Sequence, residues 1–316
     1  MSAQAPVTLR HGALEATVLA DEGGVLVDAL LDGRPLLTRT PWASSVVPSA
    51  RPAATEAEWV SRWRGGWQLC FPTAGQPDPA SAEPQGFHGT ASQAPWLLVS
   101  HDASSAALGW ADRDGLSAER VWRLGYGPNG DARIEVATRV RNEGVATRTI
   151  VAAEHLILGG DVLAGPLEIT VPGGAQLRPL DYDGLPAGAL TPWPGDPAER
   201  WPTVTRATPA RVTGLANVGG ARVGGQRLEL RGAHVEASVQ WQGALPHALL
   251  WEELGVSTES PWNGEVVALG IEPTTTPHGA GTAHDEGLVH LAPGATLEWG
   301  VTLNVRWAST AEGGGA

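Results

Sequence analysis

Three segments of the chain hold ionisable side chains in settings that an ordinary strand or turn does not require. The first runs Arg62-Trp63-Arg64-Gly65-Gly66-Trp67-Gln68 and continues through Phe71-Pro72 to Gly86-Phe87-His88-Gly89 and Pro95-Trp96. A histidine flanked by glycine sits where backbone is irregular, which suits an imidazole reaching into a cleft, or one tied to a backbone carbonyl. The second is Glu154-His155, set between the apolar runs Ile150-Val151-Ala152-Ala153 and Leu156-Ile157-Leu158. An imidazole there is partly desolvated, so its charged form is disfavoured unless a carboxylate lies near; taken singly, it reads as a satisfied core histidine. The third is Val266-Val267-Ala268-Leu269-Gly270-Ile271-Glu272-Pro273, an apolar strand that the proline is expected to end at Glu272. In a half-apolar cleft this carboxyl would be pushed up towards the working pH of a general base; turned to solvent it would be an ordinary edge glutamate.

Other chemistries find less support. None of the nine histidines forms His-x-x-x-His or His-x-His with a carboxylate at ligand spacing, so no metal is expected. His278, His284, Asp285 and His290 fall in a Gly-rich stretch and read as a solvated loop. There is no Gly-x-Ser-x-Gly elbow, and Gly65-Gly66 is not a dinucleotide fingerprint. All 21 basic side chains are arginine, which removes Schiff-base lysine chemistry and the P-loop. The single cysteine, Cys70, cannot build a disulfide framework or a multi-cysteine zinc site and reads as a small buried hydrophobe. A net charge of −13 argues against a nucleic-acid or anionic-membrane partner. With no basic leader followed by an apolar stretch, and no run near the ~18 apolar residues that span a bilayer, the expectation is a soluble, unprocessed, cytoplasmic protein.

The elements that must position these residues are strands. Ile134, Val136, Thr138 and Val140 alternate with charged neighbours; Val235, Ala237, Val239 and Trp241 do the same, as do Leu297, Trp299, Val301, Leu303 and Val305 after the turn at Ala292-Pro293-Gly294. The 41 glycines and 25 prolines supply many turns, among them Asp32-Gly33, Asn129-Gly130 and Asn142-Glu143-Gly144. Helical periodicity is confined to Thr55 to Trp63, where Thr55 caps and Glu58 stands three residues on. With no composition shift between halves, residues 1–310 are expected to form one antiparallel all-β domain. Gln76 to Gln85 and Pro186 to Pro202 read as long surface loops, and Ala311 to Ala316 as a disordered tail.

In order along the chain, Arg64 in Arg-Gly-Gly, His88 in His-Gly ahead of Pro95-Trp96, His155 in Glu-His-Leu-x-Leu-Gly and Glu272 in Leu-Gly-Ile-Glu-Pro resemble the aldose 1-epimerase (galactose mutarotase-like) superfamily. An opening hairpin from Leu14 to Leu37, Ile169-Thr170-Val171-Pro172 and the closing Pro293-Gly294 extend the resemblance over nearly the whole chain. The resemblance implies a large antiparallel β-supersandwich with few short helices, whose concave face binds a pyranose. It also implies an isomerase that needs no cofactor or metal. Glu272 would deprotonate the anomeric hydroxyl and His155 protonate the ring oxygen, while His88, Arg64, Gln68 and Trp251 contact the sugar. Most of the 14 tryptophans are assigned to the core, with Trp251 placed in the cleft. Two departures matter. His88-Gly89-Thr90-Ala91-Ser92 lacks the arginine that hexose-6-phosphate mutarotases use, which points to a free sugar. Leu215-Ala216-Asn217-Val218-Gly219 lacks the sugar-binding aspartate of galactose mutarotases, for which Asp181 or Asp183 would have to stand in. The alternative is a non-catalytic carbohydrate-binding or sensing protein on the same scaffold. The oligomeric state is left open.

Overall fold

The computed structural model describes residues 4–49, 51–77, 85–181, 183–193, 211–219 and 226–308. The sequence expectations for residues 78–84 and 194–202 of the two long loops, and for the tail 311–316, lie outside these described residues.

Alternating apolar and polar residues pair into two large antiparallel sheets. The first follows the order β1 (Val7–His11), β2 (Leu14–Leu19), β3 (Val25–Leu31), β5 (Trp67–Cys70), β11 (Ala153–Leu158), β19 (Val267–Thr274), β18 (His247–Leu254), β15 (Arg211–Ala216), β13 (Gln176–Pro179) and β14 (Thr191–Pro192), with the short β4 (Arg34–Pro35) on β3. The second follows β12 (Leu167–Thr170), β16 (Gln226–Gly232), β17 (Val235–Gly243), β21 (Thr296–Trp307), β9 (Ala132–Asn142), β8 (Leu116–Tyr126), β7 (Ser105–Ala111) and β6 (Leu97–His101). A small ribbon pairs β10 (Arg148–Ile150) with β20 (Val289–Leu291). The three clearest alternating segments of the sequence are thus β9, β21 and β17, three neighbours in one sheet. Each buries one face and leaves the other wet.

Only one α-helix stands among the described residues, α1 (Glu56–Arg62). The Thr55 hydroxyl accepts from the Glu58 N–H at 3.3 Å, and the Glu58 carboxylate reaches back to the Ala54 N–H at 2.9 Å rather than to the cap residue itself. No helix among the described residues is long and apolar enough to cross a membrane.

The main core lies between the sheets and contains Trp67, Trp122, Leu156, Ile271 and Leu303. Its centre is polar. Glu154 of β11 is fully buried, and its carboxylate accepts five hydrogen bonds: two from the Arg120 guanidinium at 3.0 Å, and one each from Trp67 Nε1 (3.0 Å), Thr138 Oγ1 (2.9 Å) and Trp299 Nε1 (2.8 Å). Arg120 (β8), Thr138 (β9) and Trp299 (β21) belong to the opposite sheet, so this one carboxylate ties the two layers together. A buried charge with every lone pair engaged is tolerable; half-engaged it would be costly.

Because successive side chains of a strand point to opposite faces, the residues after and before Glu154 leave this core. Ile157 packs with Trp59, Val60, Trp63 and Phe87 in a second cluster outside the first sheet, and Ala153 packs with Cys70 in a third. Cys70 is fully buried, and burial raises its thiol well above the usual range. His278 is also buried, at 1 % exposure, contrary to the reading of a solvated loop. Its Nε2 meets the Glu286 carbonyl at 2.7 Å and its ring lies 4.6 Å from that of His284. Asp285 and His290 are exposed.

Candidate active site

On the outer face of the first sheet, β11, β19 and β18 lie side by side. Ala153 pairs with Thr274 and Leu156 with Ile271, which sets His155 opposite Glu272; on the far side Leu249 pairs with Glu272 and Trp251 with Gly270. His155, Glu272 and Trp251 therefore share one face of three adjacent strands. The ladder between β11 and β19 skips the positions beside Pro273, which has no N–H to give. It resumes at Thr274, so Glu272 sits inside its strand and not at its end as the proline suggested.

His155 Nε2 lies 3.8 Å from Glu272 Oε1, with the two side chains 6 % and 8 % exposed. No hydrogen bond to the Glu272 carboxylate forms among the described residues. Gly270 makes room for it, since a Cβ there would come within 2.7 Å of Glu272 Oε1. Loss of water pushes the Glu272 carboxyl up to about 8 and pulls the His155 imidazole down to about 3. At neutral pH the pair thus holds one proton, on the carboxyl.

His88 stands beside them, its ring centroid 5.1 Å from that of His155. Its backbone is left-handed (φ 60°), which explains the glycines around it. His88 Nδ1 accepts the Gly75 N–H at 3.0 Å; the partner is a backbone donor, not the carbonyl considered from sequence. The ring's own proton is therefore on Nε2. Burial and the neighbouring His155 hold the His88 pKa well below its usual value, so it remains a neutral donor.

These three residues and Trp251 line one cavity of about 210 Å³, together with Asp183. Asp181 does not line it; its carboxylate accepts the Leu185 N–H at 2.8 Å and closes a turn. Arg64 also lies elsewhere. Its Nε and Nη2 bind the Glu22 carboxylate at 2.6 and 3.0 Å, and its remaining N–H groups bind the carbonyls of Ala43 and Val46. Gln68, paired with His155 across β5 and β11, opens with Arg64 onto a separate cavity of about 60 Å³. The wall between the two cavities is Trp59 and Trp63, stacked at 5.6 Å with their planes 20° apart.

That wall was not foreseen among the contact residues. Trp59 meets the His88 ring edge-on at 4.6 Å and the His155 ring at 5.7 Å, and Trp63 meets Trp251 at 5.7 Å. The clue was in the helical segment Thr55 to Trp63: Trp59 in α1 and its C-cap residue Trp63 stand four residues apart, one turn from each other on the same side. Two further tryptophans, Trp251 and Trp262, and Phe87 complete an aromatic box. Most of the other tryptophans, among them Trp67, Trp96, Trp122 and Trp299, are core residues. Among the described residues no three or more His, Cys, Asp or Glu side chains are arranged to hold a metal ion.

No protein-family model and no curated protein match the chain. Solved structures do. The Slr1438 protein of Synechocystis sp. PCC 6803 superposes with a TM-score of 0.70 at 16% identity, covering 98% of both chains. A galactose mutarotase related enzyme of Lactobacillus acidophilus gives 0.67 at 14% identity, over 98% of this chain and 99% of its own. An aldose epimerase homologue of C. elegans gives 0.62 at 15% identity, over 97% and 100%. With its two large antiparallel sheets, one α-helix among the described residues and these matches along almost its whole length, the chain has the fold of the aldose 1-epimerase and galactose mutarotase-like proteins.

Proposed function

We propose that the protein is a cofactor-independent aldose 1-epimerase that interconverts the α and β anomers of a free sugar. The observation that carries this reading is the His155–Glu272 pair, 3.8 Å apart across adjacent strands, on the wall of a cavity with aromatic sides. Anomer exchange needs a base to take the proton of the anomeric hydroxyl and an acid to protonate the ring oxygen. The ring C–O bond then breaks, the open aldehyde turns about its C1–C2 bond, and the steps reverse. A pair that holds one proton meets this need at constant charge.

In the assigned roles Glu272 is the base and His155 the acid. Desolvation alone favours the opposite order, with the proton on Glu272. A sugar hydroxyl donating to the carboxylate stabilises its ionised form and moves the proton towards the imidazole. In this reading the His88 Nε2–H donates to a sugar oxygen, and Trp251 offers a face for the ring's C–H surface. Asp183 supplies the carboxylate that the Leu215–Gly219 segment lacks.

Polarimetry on freshly dissolved aldoses tests the proposal: acceleration over buffer is expected, and Glu272→Gln should lower it by at least ~10²-fold. No acceleration for any aldose would overturn it. The second reading, a sugar-binding protein without turnover, is supported by the proton order of the pair, a protonated carboxyl beside a neutral imidazole. It predicts sugar-dependent tryptophan fluorescence with the anomerisation rate unchanged.

A further inference from the structure

Among the described residues the cavity around His155 and Glu272 is charged in one sense only. Glu253 forms part of its floor at 2 % exposure, beside Glu272 (6 %), whose carboxyl is protonated at neutral pH, and Glu56, Asp183 and Glu259 stand exposed at its rim. Among the described residues no arginine lines it, the chain has no lysine, and both of its imidazoles are held neutral. The arginines nearby, Arg51, Arg62 and Arg64, open onto the other side of the Trp59–Trp63 wall. Glu56 and Asp183 are close enough to repel, since the field of Asp183 helps to raise the Glu56 carboxyl. Glu253 is fixed by the backbone N–H groups of Gly255, Val256 and Ser257 and by the Ser257 hydroxyl. Glu272, buried and lining the cavity, is offered no hydrogen bond by the described residues.

Carboxylates at the rim of a low-dielectric cleft focus a negative potential into it. Five aromatic rings form the walls, and the face of a tryptophan attracts an ammonium within about 6 Å of its centroid. A neutral sugar uses the rings but leaves the rim carboxylates without a partner; a phosphorylated or carboxylated sugar is repelled by them. Building on the anomerase reading, we infer that the preferred ligand is a cationic amino sugar, a pyranose with a free, unacylated amine.

The test measures binding and turnover separately. Tryptophan fluorescence titrations would use 2-amino-2-deoxyglucose and 6-amino-6-deoxyglucose, each against its N-acetyl derivative, glucose and glucose 6-phosphate. At least one free amine should bind tenfold or more tightly than both its N-acetyl form and glucose, and glucose 6-phosphate should bind weakest. The amine preference should shrink when salt rises from 20 to 500 mM and in the Glu56→Gln/Glu259→Gln double variant. Amines that bind no better than glucose, or a preference indifferent to salt and to the double variant, would overturn the inference. Polarimetry on the same sugars keeps the two ideas apart. Turnover of glucose with no amine preference sinks the cationic ligand and leaves the epimerase, whereas tight amine binding with no turnover of any sugar does the reverse.

Discussion

The Glu272 carboxyl sets stability against chemistry, and replacing it with the isosteric amide should expose the conflict. In the folded protein burial keeps this carboxyl protonated up to about pH 8, while in the unfolded chain it ionises from its ordinary value of 4.5. Between those values the unfolded state binds fewer protons than the folded one, so stability falls as pH rises. At pH 7 the unfolded carboxyl is about 2.5 units past its pKa, and at ~1.4 kcal/mol per unit wild type has lost about 3 kcal/mol relative to pH 4. Glu272→Gln has no proton to lose and escapes this cost. His155 acts in the opposite sense, its lowered pKa removing stability as pH falls from 6.5 towards 3, but it is present in both proteins and cancels. Urea unfolding of wild type and variant from pH 4 to 9 gives the comparison. The variant's advantage should be near its minimum at pH 4, climb by about 3 kcal/mol by pH 7 and level off above pH 8. Parallel curves, or an advantage that shrinks with pH, would refute the desolvated carboxyl and the proton-transfer role built on it.

Other expectations follow from the same geometry. The pH profile of kcat/KM should be a bell whose basic limb lies near 8 and whose acid limb lies towards 3, because those values belong to the carboxyl and the imidazole of one coupled pair. Polarimetry across pH 3–10 would show it. Gly270→Ala places a methyl against Glu272 Oε1, Ile157 Cδ1 and Trp251 Cβ, at 2.7, 3.0 and 3.0 Å. It should cost about 1–3 kcal/mol in a melt and displace the carboxylate, with at least a tenfold fall in kcat. Arg120→Met leaves Glu154 charged and uncompensated in the core; about 3–5 kcal/mol should be lost, or ~5–8 °C in Tm, and adding Glu154→Gln should restore part of it. Trp251→Ala should raise KM more than it lowers kcat, read from initial rates over a range of sugar concentrations.

What could be read from the sequence depended on how local the signal was. β9, β17 and β21 were legible because each has one dry face and one wet face, and α1 because Thr55 and Glu58 announce its start within four residues. His155 and Glu272 were legible through their motifs, yet their contact is a matter of register between strands more than a hundred residues apart, which no local pattern records. Arg64 looked like a sugar ligand because nothing near it discloses Glu22, 42 residues away. The partners of Glu154 come from four different strands, so its place at the centre of the core left no trace beside it. The rim carboxylates were passed over for the same reason. Glu56 and Glu259 look like ordinary surface acids until the fold gathers them beside Asp183.

One peptide unit separates Glu154, which fastens the two sheets together, from His155, which faces the cavity. A single inserted or deleted residue in β11 would turn an imidazole into the centre of the core and a glutamate into the cavity, and both ends of the strand's work would fail together. Length changes in β11 should therefore be absent from any functional descendant of this chain. α1 is under no such constraint: it reaches the cavity through Glu56, Trp59, Val60 and its C-cap residue Trp63, and contributes to neither sheet. Diversification of the cavity is accordingly expected to proceed by exchange and resizing of the segment between β4 and β5, with the β11 frame inherited unchanged.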